Sequence, residues 1–233
     1  MRQSSSSAPP NVGGVSVSGP KSLRAAAVKA SCPFHRMEKK AARSATGRRG
    51  AEAEVTGARP LANESPLAIT LAQGVARGEK MDLVLQKGTE LGVAAFAPIN
   101  TERTEVKLDA ERAAKRLAHW QGILAAACEQ SGRARLPRLG EPVSLANYAV
   151  AENAPVKLVL DPQAGLGLHD LALPAAAEVA LLVGPEGGLS DRDLAAARAA
   201  GFTGLRLGPR ILRTETAGLA AIAALQALYG DLA

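Results

Sequence analysis

Two stretches decide the fold: Val183-Gly-Pro-Glu-Gly-Gly188, and Leu207-Gly-Pro-Arg-Ile-Leu-Arg-Thr-Glu-Thr-Ala217. Short apolar runs that read as buried strands come first in each case, Glu178–Val183 and Leu205–Leu207. Each stretch then leads, at once or after a few residues, into a helical pattern. Gly/Pro-rich loops at the carboxyl ends of neighbouring strands are where an open α/β sheet forms a ligand crevice. Glycine lets main-chain N–H and C=O groups approach a ligand closely, and proline reduces the ordering lost on binding. The expectation is a small-molecule site built mostly of main chain. No Gly-Lys-Ser/Thr follows, so the loop is not a triphosphate cradle, and it is not a Gly-x-Gly-x-x-Gly dinucleotide fingerprint.

Working outward, Val93–Ala97 (stopped by Pro98) and Val156–Leu160 (stopped by Asp161-Pro162) read as further strands. Helical patterns cover Lys80–Leu91 with Gly92 as its C-cap, and Glu111–Gln130 with Asp109 as its cap. Ser190 and Asp193 form a Ser-x-x-Asp start for a helix over Asp191–Ala200 that Gly201 ends, and Thr214 or Thr216 caps a final helix to Tyr229. Strands alternating with helices imply a mostly parallel α/β sheet.

Charge is unevenly distributed. Residues 1–50 hold ten Lys and Arg against the single acid Glu38, whereas the remaining residues are net acidic, so the basic pI belongs to the amino-terminal stretch. Nucleic-acid binding therefore has to rest on local patches. Cys32 and Cys128 are far apart and the three histidines are scattered, which gives neither a zinc pattern nor a disulfide framework. No apolar run has transmembrane length. Ser4–Ser7, Pro9-Pro10 and Gly13-Gly14 open a low-complexity stretch that reads as a disordered tail over residues 1–46. Two explanations compete for its Arg/Ser/Ala-rich, acid-poor composition: an organelle transit peptide, or a reading frame that starts outside the ordinary one.

The two loops together resemble those of the knotted SPOUT methyltransferases. More narrowly, the sequence is similar to the family that methylates N3 of a uridine in small-subunit (16S) ribosomal RNA. Three segments agree: Gly78–Val93, Glu102-Arg-Thr104 and Ala127-Cys-Glu-Gln-Ser-Gly-Arg133. The resemblance runs from about Gly47 to the end. It implies a SPOUT domain over 76–233 with a C-terminal trefoil knot, preceded over 47–75 by the remnant of a truncated or degenerate PUA-like β-barrel, to which Arg48–Thr56 and Leu67–Leu71 are assigned. It also implies S-adenosyl-L-methionine as cofactor, held by Leu160, Val183, Gly184, Gly187, Gly188, Leu207, Gly208, Ile211 and Leu212. No metal is called for. Small-subunit rRNA in the assembled subunit is the implied partner, the enzyme being a homodimer in the cytoplasm, or in an organelle if the tail is a transit peptide.

Uridine N3–H must lose its proton as the methyl group arrives, and negative charge spreads over O2 and O4, so the site needs a base or cationic donors. Arg213 is the candidate donor and Glu186 the candidate base, with pairing to Glu215 and turn capping as their structural alternatives. Gln130 and Arg133 are candidates for the uracil edge, although a cation is also favoured at a helix C-terminus. Arg103, Lys115, Arg116, Arg133 and Arg135 are the candidate RNA contacts. A non-catalytic RNA-associated knotted domain that binds S-adenosylmethionine without methyl transfer is the alternative function.

Overall fold

The computed structural model describes residues 15–17, 37–47, 50–60, 63–105 and 110–232, and the chain divides into two compact units, Met1–Ala62 and Asn63–Ala233. In the first unit, β1 (Val15–Val17), β2 (Met37–Gly47) and β3 (Gly50–Pro60) form an antiparallel sheet in the order β1-β3-β2. The sequence reading finds no strand before residue 47, because Met37–Gly47 is rich in Lys, Arg and Ala and lacks apolar alternation. Main-chain pairing does not require it. Asp109 lies outside the described residues.

The second unit is an α/β/α sandwich. Its strands are β4 (Ala68–Gly74), β5 (Ala95–Asn100), β6 (Arg138–Leu139), β7 (Val143–Ser144), β8 (Val156–Leu160), β9 (Glu178–Val183) and β10 (Thr203–Leu205). They form a parallel sheet in the order β10-β8-β9-β4-β5-β6, with β7 also pairing β5. Helices α1 (Glu79–Glu90), α2 (Ala110–Ser131), α3 (Leu145–Ala151), α4 (Asp191–Ala199) and α5 (Thr214–Tyr229) cover its faces. Because side chains alternate across a strand, β9 supplies both cores. Val179, Leu181 and Val183 pack with Met81 and Leu85 of α1, Trp120 and Leu124 of α2, and Ile222 and Leu225 of α5. Ala180 and Leu182 pack with Leu145, Ala149, Ala197 and Phe202 on the opposite side. Among the described residues no helix is long and apolar enough to cross a membrane.

Four sequence expectations need correction. Leu67–Leu71, assigned to the barrel, runs into β4 at the centre of the parallel sheet, where Ile69 and Leu71 are fully buried. Pro98 does not stop β5. On that edge the neighbour changes from β6, which ends opposite Phe96, to β7, which starts opposite Ile99, so no ladder N–H is needed at Pro98. The last strand is Thr203–Leu205, two residues earlier than Leu205–Leu207, because its register with β8 ends at Leu160. Neither Thr214 nor Thr216 caps α5: Arg213 is the cap residue and makes no side-chain bond.

Other local signals act as read. Ser190 Oγ accepts from the Asp193 N–H and Asp193 Oδ2 accepts from the Ser190 N–H, both at 3.0 Å. Gly92 has φ of 85°, and the N–H groups of Gly92 and Val93 donate to the Thr89 and Gly88 carbonyls, closing α1 with paired C-terminal bonds.

Candidate functional site

One cavity of about 1030 Å³ opens where loops leave the carboxyl ends of adjacent strands β8, β9 and β10. Its walls are residues 161–163, the bend from Val183 to Leu189, and the bend from Leu207 to Ala217. The volume is at the upper end for small-molecule sites, and the position is the usual crevice of an open α/β sheet. Gly184, Gly188 and Ile211 all line it, so the two bends separated in sequence share one space. Apolar lining comes from Leu160, Val183, Leu205, Leu207 and Leu212.

The first bend is held from three sides. The Thr214 hydroxyl donates to the Gly184 carbonyl at 2.6 Å, and Gln73 Nε2 donates to Thr214 Oγ1 at 2.9 Å. Glu186 Oε1 accepts from the Arg77 N–H at 3.0 Å and from Lys80 Nζ at 3.1 Å. Arg103 donates to the Gly187 carbonyl at 3.1 Å. Partial burial pushes the Glu186 carboxyl up, but the Arg77 N–H, its own N–H and the Lys80 ammonium outweigh burial and hold it below its ordinary value of 4.5. A lowered folded pKa gives stability that is present above the unfolded value and lost as pH falls through the folded one. Melting curves should therefore show Glu186→Gln less stable than wild type by about 0.5 kcal/mol at pH 7. That gap should close below about pH 4; a gap independent of pH would contradict the ionic anchoring.

Of the expected cofactor residues, Leu160, Val183, Gly184, Gly188, Leu207, Gly208, Ile211 and Leu212 line the cavity. Ile211 does so as a residue 84% exposed, and Gly187 lies beneath Arg103 instead. The candidate catalytic residues divide. Arg213 and Glu186 are on the cavity wall, but Glu186 is engaged by Lys80 and Arg77, which disfavours its role as a base. Gln130 and Arg133 are outside the lining. Arg133 is 6% exposed and donates to Glu64 Oε2 and to the Thr89 and Val93 carbonyls at the end of α1. Its guanidinium is thus turned inward, the C-terminal helix placement winning over RNA contact.

Among the RNA candidates only Arg103 reaches the cavity. Arg116 stacks on buried Trp120 at 5.9 Å, with Nη1 buried, so it is a packing residue. Lys115 and Arg135 are exposed away from the lining, and the Arg135 N–H donates to Glu64.

Sequence reasoning missed several wall residues. Asp161, read only as a strand stop, is 5% exposed and accepts from Arg198 and from the Gln163 N–H, both at 2.9 Å. Its place at the end of β8, beside two other strand-end loops, was the available signal. Lys80 was read as the start of a helix. Glu215 lines the cavity with Oε2 buried and without a hydrogen-bond partner. Gln73 of β4, behind the wall, is fully buried.

A family model described as an RNA methyltransferase domain matches residues 63–226. Ribosomal RNA small subunit methyltransferase E of Buchnera aphidicola subsp. Schizaphis graminum is 38% identical over 171 residues, covering 72% of this chain and 69% of that protein. The match to the same-named protein of Buchnera aphidicola subsp. Acyrthosiphon pisum spans 66% of its length. Among solved structures, ribosomal RNA small subunit methyltransferase E from Neisseria gonorrhoeae, bound to S-adenosylmethionine, is 38% identical with a TM-score of 0.81, covering 97% of this chain and 98% of that one. A Legionella pneumophila methyltransferase in complex with the same cofactor is 40% identical with a TM-score of 0.78, covering 84% and 80%.

Proposed function

Since the chain belongs to the RNA methyltransferase domain family, we propose that it uses S-adenosylmethionine to methylate small-subunit ribosomal RNA, at N3 of a uridine. The cavity shared by the Val183–Leu189 and Leu207–Ala217 bends is the observation that supports this most directly. Its residues fit the cofactor. Half-buried Leu160, Leu207 and Leu212 suit a flat apolar ring, and main chain around Gly184 and Gly208 suits the polar edges. When bound, the cofactor supplies an electrophilic methyl group.

The chain's own residues orient and stabilise. Lys80 and Arg77 hold Glu186, and Thr214 holds Gly184, which fixes the first bend. Arg213, exposed on the wall, offers its guanidinium fork to O2 or O4 of the uracil as N3 gives up its proton. Arg103 sits at the same opening for a flanking phosphate. Arg213→Ala should lower methyl transfer about 10²-fold, leaving cofactor affinity within a few-fold, and Arg213→Lys should restore only part. Single-turnover assays beside calorimetric titration check this; an Arg213→Ala chain that transfers methyl at the wild-type rate would remove Arg213 from the chemistry.

The wider reading follows the family. The last helix threads a loop to make a trefoil knot, which the fastening of its first turn to Gly184 and Gln73 supports. Two copies act together, for which exposed Leu83, Leu228 and Leu232 offer apolar surface. The antiparallel strands of the first unit form a PUA-like RNA-holding domain on assembled small subunits in the cytoplasm. The test is transfer of labelled methyl from S-adenosylmethionine to small subunits lacking the modification, with 3-methyluridine identified by mass spectrometry. Failure to bind S-adenosylmethionine would end the proposal.

A further inference from the structure

Gln73 is an anomaly of chemistry. It stands on β4 with Ile69, Leu71 and Ala72 fully buried around it, and it is itself 0% exposed. An amide there loses its water, and its Oε1 has no hydrogen-bond partner at all. A side chain serving the core alone would be Leu or Met. The Nε2 end accounts for the residue: it donates to the Gly74 carbonyl at 3.0 Å and to Thr214 Oγ1 at 2.9 Å, with the Gly184 carbonyl 3.4 Å away.

The consequence lies in the Thr214 hydroxyl, which has one proton. With Gln73 donating to its oxygen, that proton points at the Gly184 carbonyl, and the distance is 2.6 Å. Thr214 is 7% exposed and opens the second bend's helix, while Gly184 opens the first bend, and both line the cavity. A relay of amide, hydroxyl and carbonyl therefore links the two walls through β4, between residues 111 and 141 positions apart in sequence. Bonds in such a chain polarise one another, so its members act as a unit.

We infer that Gln73 is a positioning residue that, through Thr214, sets the separation of the two bends and so tunes cofactor affinity without touching the reacting atoms. This rests on the methyl-transfer reading of the cavity. It makes an uncommon prediction: fold stability and ligand affinity should move in opposite directions. Gln73→Met removes the orphaned Oε1 and fills the space with an apolar chain of similar length, but it frees the Thr214 hydroxyl to rotate.

The experiment compares wild type with Gln73→Met, Thr214→Val, Thr214→Ser and the Gln73→Met/Thr214→Val double variant. Calorimetric titration with S-adenosylhomocysteine, thermal melting, and KM and kcat for methyl transfer are the readouts. Gln73→Met and Thr214→Val should each weaken binding about tenfold or more and raise the cofactor KM in parallel, with kcat within about threefold. Gln73→Met should melt at or above the wild-type temperature. Thr214→Ser, which keeps the hydroxyl, should bind within about twofold of wild type, and the double variant should be no weaker than the poorer single one. Gln73→Met binding as wild type does, or losing kcat at unchanged KM, overturns the inference while leaving the function intact. A wild-type chain that binds no S-adenosylhomocysteine overturns both.

Discussion

Arg133→Ala is expected to unfold the second unit more easily by about 3–5 kcal/mol, because it strips the partner from Glu64, a carboxylate whose side chain is only 18% exposed. For a unit of this size that corresponds to a fall in melting temperature of roughly 6–20 °C. The guanidinium does three things at once. Nη2 and Nε hold Glu64 Oε2 at 2.7 and 3.2 Å, and Nη1 donates to the Thr89 and Val93 carbonyls at 2.9 and 2.8 Å. It thus closes the end of α1 and fastens the segment that enters β4, where Ser65 also donates to Gln226 of α5 at 2.6 Å. Arg133→Lys lacks the planar fork and should recover only part of the loss. Replacing the pair together, Glu64→Leu with Arg133→Met, should destabilise less than Arg133→Ala alone, since no buried charge is left unpaired. Denaturant titrations and S-adenosylmethionine binding, each scored per folded molecule, make the check. Arg133→Ala with unchanged stability and abolished methyl transfer would return Arg133 to the catalytic list.

The contrast between Arg133 and Arg213 shows what the sequence can carry. Arg213 was legible because its neighbours are local: Gly208, Pro209 and the start of α5 mark a bend at a strand end, and a side chain on such a bend faces the crevice. The strands Val156–Leu160 and Glu178–Val183 were legible to the residue, as short and mainly apolar runs, the second of them buried from Val179 to Val183. Arg133 was ambiguous because its partner Glu64 is 69 positions away. Glu186 and Lys80 are 106 apart, so the turn around Glu186 offered capping as the alternative to a base, but nothing local pointed to its ammonium partner. Short elements fell below any period: β6 and β7 have two residues each and α3 has seven. Gln73 was hidden differently, since a polar residue near the end of a strand looks like its boundary.

Gly74→Ala should be the most damaging single-atom change near the cavity. A Cβ at Gly74 would lie 2.5 Å from both Cδ and N of Pro185 and 2.9 Å from the Gly184 carbonyl carbon, all inside contact distance. None of these atoms can give way cheaply. Pro185 has a fixed φ, the Gly184 carbonyl is held by Thr214, and the Gly74 carbonyl itself accepts from Gln73. The first bend must move as a body, and displacement on the order of 1 Å can cost a factor of about 10² in rate. The expected result is a chain that retains its sheet, binds S-adenosylhomocysteine too weakly for calorimetry, and transfers methyl at least about 10²-fold more slowly. Gly122→Ala is the matched control: the same added methyl, inside α2, with nothing within 4 Å of its Cβ. There the change should stabilise by about 0.5–1 kcal/mol, as alanine ordinarily does in a helix. If Gly74→Ala left affinity intact, the bend would be free to slide along β4, and the close pass between Gly74 and Pro185 would not be what sets the width of the cavity.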